Sequence, residues 1–370
     1  MLLIARKNLF SERTRLAIAV GGIALSVFLI SLLLSLYRGW NEKIGGFVEE
    51  VDADIWIGLQ GTTDFLGAGS ILPEDRGAAF SEIRVVERWS PLIVRPMSAE
   101  KDGRKMDVQL IGYDPATGMG GPTRIREGKA TPGAHEVIVD SALRRRYGVD
   151  IGDTITTAGQ DWKVVGISSG GDFVATQTIF VTIDDAQEAL FESQELTTFF
   201  LLRLSSPRQR DQLAARIEKE DPRILAITSD DFAQATRERI LGDILPILTV
   251  VLTLAFIVGL AVAGLTIYTA TVEKAREYGI LKAVGFTNAY LYRLVFEQSI
   301  VTGVLGFALG AGLTLVIGPF AQDLVPQFVV FVRWQDVLGV AGVTILMALI
   351  AAYVPVRRLA AIDPVTVFKA

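Results

Sequence analysis

The sequence predicts a membrane protein with four transmembrane α-helices and an α/β extracytoplasmic domain inserted between helices 1 and 2. Three observations carry this expectation. Four long runs contain no Asp, Glu, Lys or Arg. The stretch 38–243 is instead charged and patterned like strands and helices of a water-soluble domain. Lysine and arginine gather at alternate ends of the apolar runs.

The runs are Leu16 to Tyr37, Ile244 to Val272, Gln298 to Gln322 and Val337 to Val356. A helix needs about 20 apolar residues to cross the hydrocarbon, and each run reaches that length. A charge at the centre of such a helix costs about 2.5–3.5 kcal/mol, so charge-free gaps are informative. Arg6, Lys7, Arg13 and Arg15 precede the first run; Lys274, Arg276, Lys282 and Arg293 separate the second from the third; Arg357, Arg358 and Lys369 follow the fourth. Only Arg333 lies between the third and fourth, beside Asp323 and Asp336. The positive-inside rule then puts both termini and the second-to-third loop in the cytoplasm. Trp40, Tyr268, Trp334 and Tyr353 fall near run ends, where amphipathic rings favour the interface.

The expected division is a cytoplasmic segment over 1–15, helices over 16–37, 244–272, 298–322 and 337–356, and an extracytoplasmic domain over 38–243. A cytoplasmic loop over 273–297, a short extracytoplasmic loop over 323–336 and a cytoplasmic tail over 357–370 complete it. The first run exceeds a signal-peptide core, and Tyr37-Arg38-Gly39-Trp40 is a poor cleavage site, so it reads as a retained anchor. Leu2, Leu3, Leu9 and Phe10 alternate with Arg6, Lys7 and Arg13. They suit either an amphipathic helix on the membrane face or an extension of the first helix.

Composition agrees. Half of the 370 residues are hydrophobic and 21% are charged, against about 25% in ordinary globular chains; the mean hydropathy is +0.40. A net charge of −5 argues against a nucleic-acid partner, which needs a basic face. With no cysteine, disulfides, thiol nucleophiles and cysteine metal sites are excluded. The single histidine, His135, sits in the turn Thr131-Pro132-Gly133-Ala134-His135 and reads as a surface residue.

In the soluble stretch, Asp54–Ile57, Val108–Ile111, Glu136–Val139, Trp162–Ile167 and Phe199–Leu204 read as strands. Gly152 to Thr156 leads into a hairpin closed near Ala158-Gly159. Helices are expected over Ser141–Tyr147 and Pro207–Glu220. A further helix over Asp230–Leu241, capped by Thr228 or Ser229, would form a stalk reaching the second membrane run, interrupted only by Pro246. The Gly58–Pro73 stretch is glycine-rich with apolar Phe65, Leu66, Ile71 and Leu72. It suits a mobile loop touching a lipidic substrate or partner, or a segment folded into the domain core.

No catalytic, cofactor-binding or metal-ligating motif is present. There is no Walker A pattern, no His-Glu-x-x-His and no Gly-x-Ser-x-Gly. Asp184-Asp185 and Asp230-Asp231 suit solvated helix starts. The membrane runs lack carboxylates and histidines, which disfavours a proton or ion relay; energy would come from another subunit. Gly259, Ala263, Gly303, Gly306 and Gly310 offer small surfaces for helix packing, within the chain or between protomers.

The segment Glu273-Lys274-Ala275-Arg276-Glu277-Tyr278-Gly279-Ile280-Leu281-Lys282-Ala283-Val284-Gly285 resembles the MacB/FtsX-type permease signature, with Tyr278, Lys282 and Val284 replacing its usual isoleucine, arginine and leucine. Pro355-Val356-Arg357-Arg358-Leu359-Ala360-Ala361-Ile362-Asp363-Pro364 resembles the family's ending, and Thr366 stands where a glutamate is usual. Val137–Asp140, Gly152-Asp153 and Val164–Ile167 are similar to its extracytoplasmic domain, and Ala53–Trp56 resembles DevC-type exporters more faintly. The resemblance implies a homodimeric permease in a bacterial plasma membrane, bound to two copies of a separate ATPase that holds ATP and Mg. Glu277, Gly279, Ile280, Leu281, Lys282, Ala283 and Gly285 would contact that ATPase. It implies mechanotransmission, in which ATP-driven helix movement reaches the extracytoplasmic domain to export or extract a hydrophobic or envelope substrate, with or without a membrane-fusion adaptor. The alternatives are an FtsX-type signalling permease that activates a cell-wall hydrolase, and a membrane-anchored receptor or scaffold without ATPase coupling.

Overall fold

A computed structural model describes residues 13–66, 69–170, 172–173, 176–324 and 331–360. The N-terminal amphipathic segment, Gly67 and the Ile362-Asp363-Pro364 ending lie outside the described residues. The chain divides into two compact units, Met1–Gly39 with Ile244–Ala370, and Trp40–Asp243.

In chain order the elements are α1 (Arg13–Ile44), α2 (Gly46–Glu50), β1 (Ile55–Leu59), β2 (Leu72–Pro73), α3 (Ala78–Ser81), β3 (Val86–Lys101), β4 (Arg104–Tyr113), β5 (Arg124–Gly128) and β6 (Glu136–Asp140). Next come α4 (Ser141–Tyr147), β7 (Thr154–Thr157), β8 (Gln160–Ser169), β9 (Asp172–Phe173), β10 (Thr176–Thr182), α5 (Ile183–Phe191), β11 (Leu196–Thr197), β12 (Phe199–Leu204), α6 (Arg210–Glu220) and β13 (Ile224–Thr228). Four more helices close the chain: α7 (Ser229–Glu273), α8 (Ala275–Ala283), α9 (Asn288–Leu324) and α10 (Trp334–Ala360).

The soluble unit is α/β. Its main sheet runs β13-β1-β12-β3-β4-β10-β6-β8-β5, with β7 on β3 and β8 and β9 on β10. The β4–β10 and β6–β8 pairs are parallel. Alternation along β1 and β12 builds two cores from one layer. Ile55, Ile57, Phe200 and Leu202 pack with Leu213 and Ile217 of α6, while Trp56, Phe199 and Leu201 face Phe65 and Phe232. A third cluster holds Val137, Val139, Leu143, Trp162, Ile179 and Ala186 between β6, β8, β10 and helices α4 and α5.

Local chemistry sets the turns. Ala158 and Gly159 both take positive φ (53° and 76°), the two-residue turn that suits the twist of a hairpin. Asp140 caps α4 by accepting from the Ala142 N–H at 2.7 Å, and Gly148 closes it at φ 68°. Thr228 caps α7: its hydroxyl accepts from the Asp231 N–H (3.2 Å) and donates to the Asp231 carboxylate (2.7 Å). Asp230 and Asp231 therefore occupy a helix start, as expected from their position near a positive dipole end.

Among the described residues four helical stretches are long and apolar enough to cross a membrane, within α1 with α2, α7, α9 and α10, and their apolar runs fall in the other unit. Each runs past its charge-free stretch. Residues 273–297 are not a loop, as the sequence reading had them. They form α8, a turn and the first ten residues of α9, because Arg293 and Glu297 pair along the helix at 2.9 Å rather than breaking it. The expected stalk is the start of α7, one helix of 45 residues with Pro246 inside it. Proline removes one ladder hydrogen bond and crowds the carbonyl four residues earlier, here that of Gly242, yet the helix continues through it.

Candidate coupling site

The site is built from the end of α7, α8 and the start of α9. Hydrogen bonds bridge Lys274 from both sides, Lys274 N–H to the Ala270 carbonyl (3.2 Å) and Tyr278 N–H to the Lys274 carbonyl (3.0 Å). The helix thus bends at Lys274 without losing its bonding. At the far end Gly285 takes φ +104°. Phe286 N–H donates to the Leu281 carbonyl and Gly285 N–H to the Lys282 carbonyl, both at 3.0 Å. This paired closure uses a left-handed residue that glycine adopts without strain. The Phe286 ring then packs on Tyr290 at 4.7 Å, fixing the entry into α9.

One face of α8 is anchored. Tyr278 is buried with Leu291, Leu294 and Val295 of α9, and Leu281 packs against the same cluster. The opposite face is free of the fold: Glu277, Ile280, Ala283 and Gly285 are exposed. Of the residues expected to contact an ATPase, the structure therefore splits the set. Glu277, Ile280, Ala283 and Gly285 form the surface, Gly279 is buried, Leu281 is an anchor and Lys282 lies between. The sequence reading missed Val284 and Phe286. Val284 is 74% exposed and Phe286 also stands out, so Ile280, Val284 and Phe286 make an apolar tip. Its signal was present, since residues four apart share a helix face.

The packing glycines act inside the unit. A Cβ on Gly306 would lie 2.5 Å from Ile23, and one on Gly310 2.5 Å from the Ala24 carbonyl, both in α1. A Cβ on Gly259 of α7 would lie 2.5 Å from Ser26 and 2.8 Å from Met347, and one on Gly303 3.1 Å from Ala348 of α10. Ala263 is buried in the same core. Two ion pairs tie helix ends: Arg15 to Glu273 (2.7 Å) and Arg38 to Asp336 (3.2 Å).

The apolar loop candidate is corrected. Phe65 is fully buried, 5.0 Å from Phe47 and edge-on to Trp56 at 5.7 Å, and its N–H donates to the Thr236 hydroxyl at 3.2 Å. Leu66 packs on the same core, and Leu72 is buried while only Ile71 stays exposed. The Phe47 and Trp56 rings offer Phe65 more apolar contact than solvent or lipid would, which outweighs the freedom of the surrounding glycines.

Fold and site define a multi-pass membrane protein with an α/β domain inserted after its first helix, and known proteins place it further. Residues 16–220 match the MacB-like periplasmic core domain, and residues 249–364 match the FtsX-like permease C-terminal region. The chain belongs to the MacB/FtsX-type family of ABC transporter permeases. An uncharacterized ABC transporter permease of Mycobacterium tuberculosis is 24% identical over 371 residues, covering 100% of this chain and 99% of its own. The probable syringafactin export ATP-binding/permease protein of Pseudomonas syringae is 20% identical, over 96% of this chain and 57% of that protein. Among solved structures, the periplasmic region of MacB from Actinobacillus actinomycetemcomitans aligns with a TM-score of 0.39 at 11% identity, covering 50% of this chain and 94% of that one.

Proposed function

We propose that this chain is the membrane subunit of an ATP-driven complex and that a separate ATPase seats on the α8 tip. The observation that carries the reading is the exposed Ile280–Val284–Phe286 face on a helix anchored by Tyr278 and closed by Gly285. Such a face is rigidly joined to two membrane helices, so a push on it reaches α7 and α9 together. Two further facts support it. The sequence has no Walker A pattern, and it matches 57% of a relative whose name joins ATP-binding and permease.

In this reading the permease is a homodimer in the bacterial plasma membrane, with both termini and α8 cytoplasmic and with two ATPase copies that bind ATP and Mg. Lys274, Arg276, Lys282 and Arg293 near α8 support that orientation. The work delivered is mechanotransmission to the extracytoplasmic domain, for export or extraction of a hydrophobic or envelope substrate. The test is ATPase stimulation in nanodiscs, using the ATPase that co-purifies with the full chain. Ile280→Asp and Val284→Asp are expected to lower stimulation at least ~10-fold, about 1.4 kcal/mol of contact, while the dimer persists. Lys105→Ala, on the β3–β4 hairpin of the inserted domain, should leave it unchanged. Full stimulation in both α8 variants would overturn the assignment.

A further inference from the structure

The turn before β6 brings the only histidine of the chain to the first turn of α5. His135 takes φ +54° there, and its backbone is held on both sides. Its N–H donates to Asp185 Oδ2 at 3.0 Å, and its carbonyl accepts from the Lys163 N–H at 3.0 Å. Asp185 and Glu188 stand three residues apart on α5, a spacing that shares one helix face. The imidazole and the two carboxylates each present one donor atom, all within 4.8 Å of one another.

The burial of Asp185 is the second and independent observation. It is 5% exposed, contrary to its reading as a solvated helix start. Its carboxylate accepts the His135 N–H, and no lysine or arginine pairs with it among the described residues. Buried charges are ordinarily paired or bound to metal, because an uncompensated one loses its hydration for nothing. Glu188 is exposed and has no hydrogen bond or ion pair among the described residues. The site therefore offers a fixed, buried carboxylate without a counter-charge and two exposed donors able to swing towards it.

We propose that His135, Asp185 and Glu188 bind a divalent late first-row transition-metal ion, with Zn²⁺ as its natural occupant. Imidazole with carboxylates suits Zn²⁺, whereas Ca²⁺ prefers an all-oxygen shell. Ligand bonds of about 2.0–2.1 Å set donors about 3.3 Å apart in a tetrahedron, a closure that rotamer changes of His135 and Glu188 provide. Three protein ligands leave a fourth position for water or an incoming group. The bound ion ties the turn before β6 to α5 and supplies the positive charge that Asp185 lacks. The ATPase reading plays no part in this argument.

The experiment uses the full chain in nanodiscs, purified without a polyhistidine tag and stripped with chelator. ZnCl₂ is added and the bound metal measured by equilibrium dialysis. One Zn²⁺ per chain is expected, with affinity on the order of 100-fold weaker in His135→Ala and a large loss in Glu188→Gln. Both substitutions are at exposed positions; Glu188→Gln should keep the parent's thermal midpoint without metal, and His135→Ala, at φ +54°, should lower it only slightly. Added Zn²⁺ should raise that midpoint by a few degrees in the parent and not in the variants, and CaCl₂ should do neither. Histidine labelled with ¹⁵N gives one imidazole in the spectrum, whose ring nitrogen should shift on Zn²⁺ addition. Absent stoichiometric binding, or binding equal in His135→Ala, would overturn the proposal.

Discussion

At the scale of single residues, ionisation gives the sharpest expectations. Burial pushes the Glu74 carboxyl above its usual range; the Gln187 amide opposes this, and Glu195, Asp184 and Asp114 add to it. A folded state that holds its proton more tightly loses stability as pH rises through that group's titration. Glu74→Gln should therefore raise the thermal midpoint near neutral pH, with the gain fading towards pH 4, as a melting series across pH would read. Asp153 behaves oppositely. The Lys101 ammonium, 2.5 Å away, holds it below the ordinary carboxylate range, helped by the Asp150 N–H. That contribution is present above about pH 4 and is lost as pH falls through the depressed value. Lys101→Met should thus move the acid-unfolding midpoint to higher pH. Trp56 illustrates packing: its indole N–H has no hydrogen-bond partner, yet its ring meets Phe65, Phe199 and Phe232 within 5.7 Å. Trp56→Ala should cost about 3–5 kcal/mol in denaturant unfolding, and Trp56→Phe much less, since it also removes an unsatisfied donor.

At the scale of elements, the small-residue spacing of α9 was legible but its partner was not. Gly306 and Gly310 mark a face by their spacing alone; only the fold says that α1 fills it, because that contact joins residues far apart in sequence. A graded series tests it. Gly310→Ala meets a backbone carbonyl and Gly306→Ala meets Ile23, so each should destabilise by about 1–3 kcal/mol. Gly312→Ala, with nothing within 4 Å, should be silent in thermal unfolding of the full chain in micelles. Strands with continuous apolar runs, such as the Phe199–Leu202 part of β12, were readable for the same reason that they are buried. The long strand β3 was not, since charged residues at both ends mask its five buried central positions. Likewise the glycines around Phe65 left a mobile loop and a place in the core both open, because the aromatic cluster that captures it comes from segments distant in sequence.

For the whole molecule, the absence of cysteine makes side-specific labelling decisive. Val284→Cys should react with an impermeant maleimide only from the cytoplasmic side, and Lys105→Cys only from the opposite side; sealed vesicles of both orientations would read this. Reversed access at either position would reject the orientation proposed above. The charge-free runs made the four-helix plan legible, since lipid tolerates few alternatives. They said nothing about where the helices end. Those limits come from caps such as Thr228, from the Gly285 closure and from ion pairs along the helix, which override a reading based on charge alone.

The unbroken course of α7 has a consequence for how displacement would be encoded. At 1.5 Å per residue its 45 residues extend about 67 Å, more than twice a hydrocarbon core of roughly 30 Å. A continuous helix carries angular phase as well as length. One residue inserted between Gly242 and Asp243 would turn everything beyond it by about 100° while adding only about 1.5 Å. Seven inserted residues would restore the phase to within about 20° while adding about 10 Å. If torsion is what this helix conveys, ATPase stimulation should fail with one added residue and return with seven. If axial thrust is conveyed instead, the ranking should reverse.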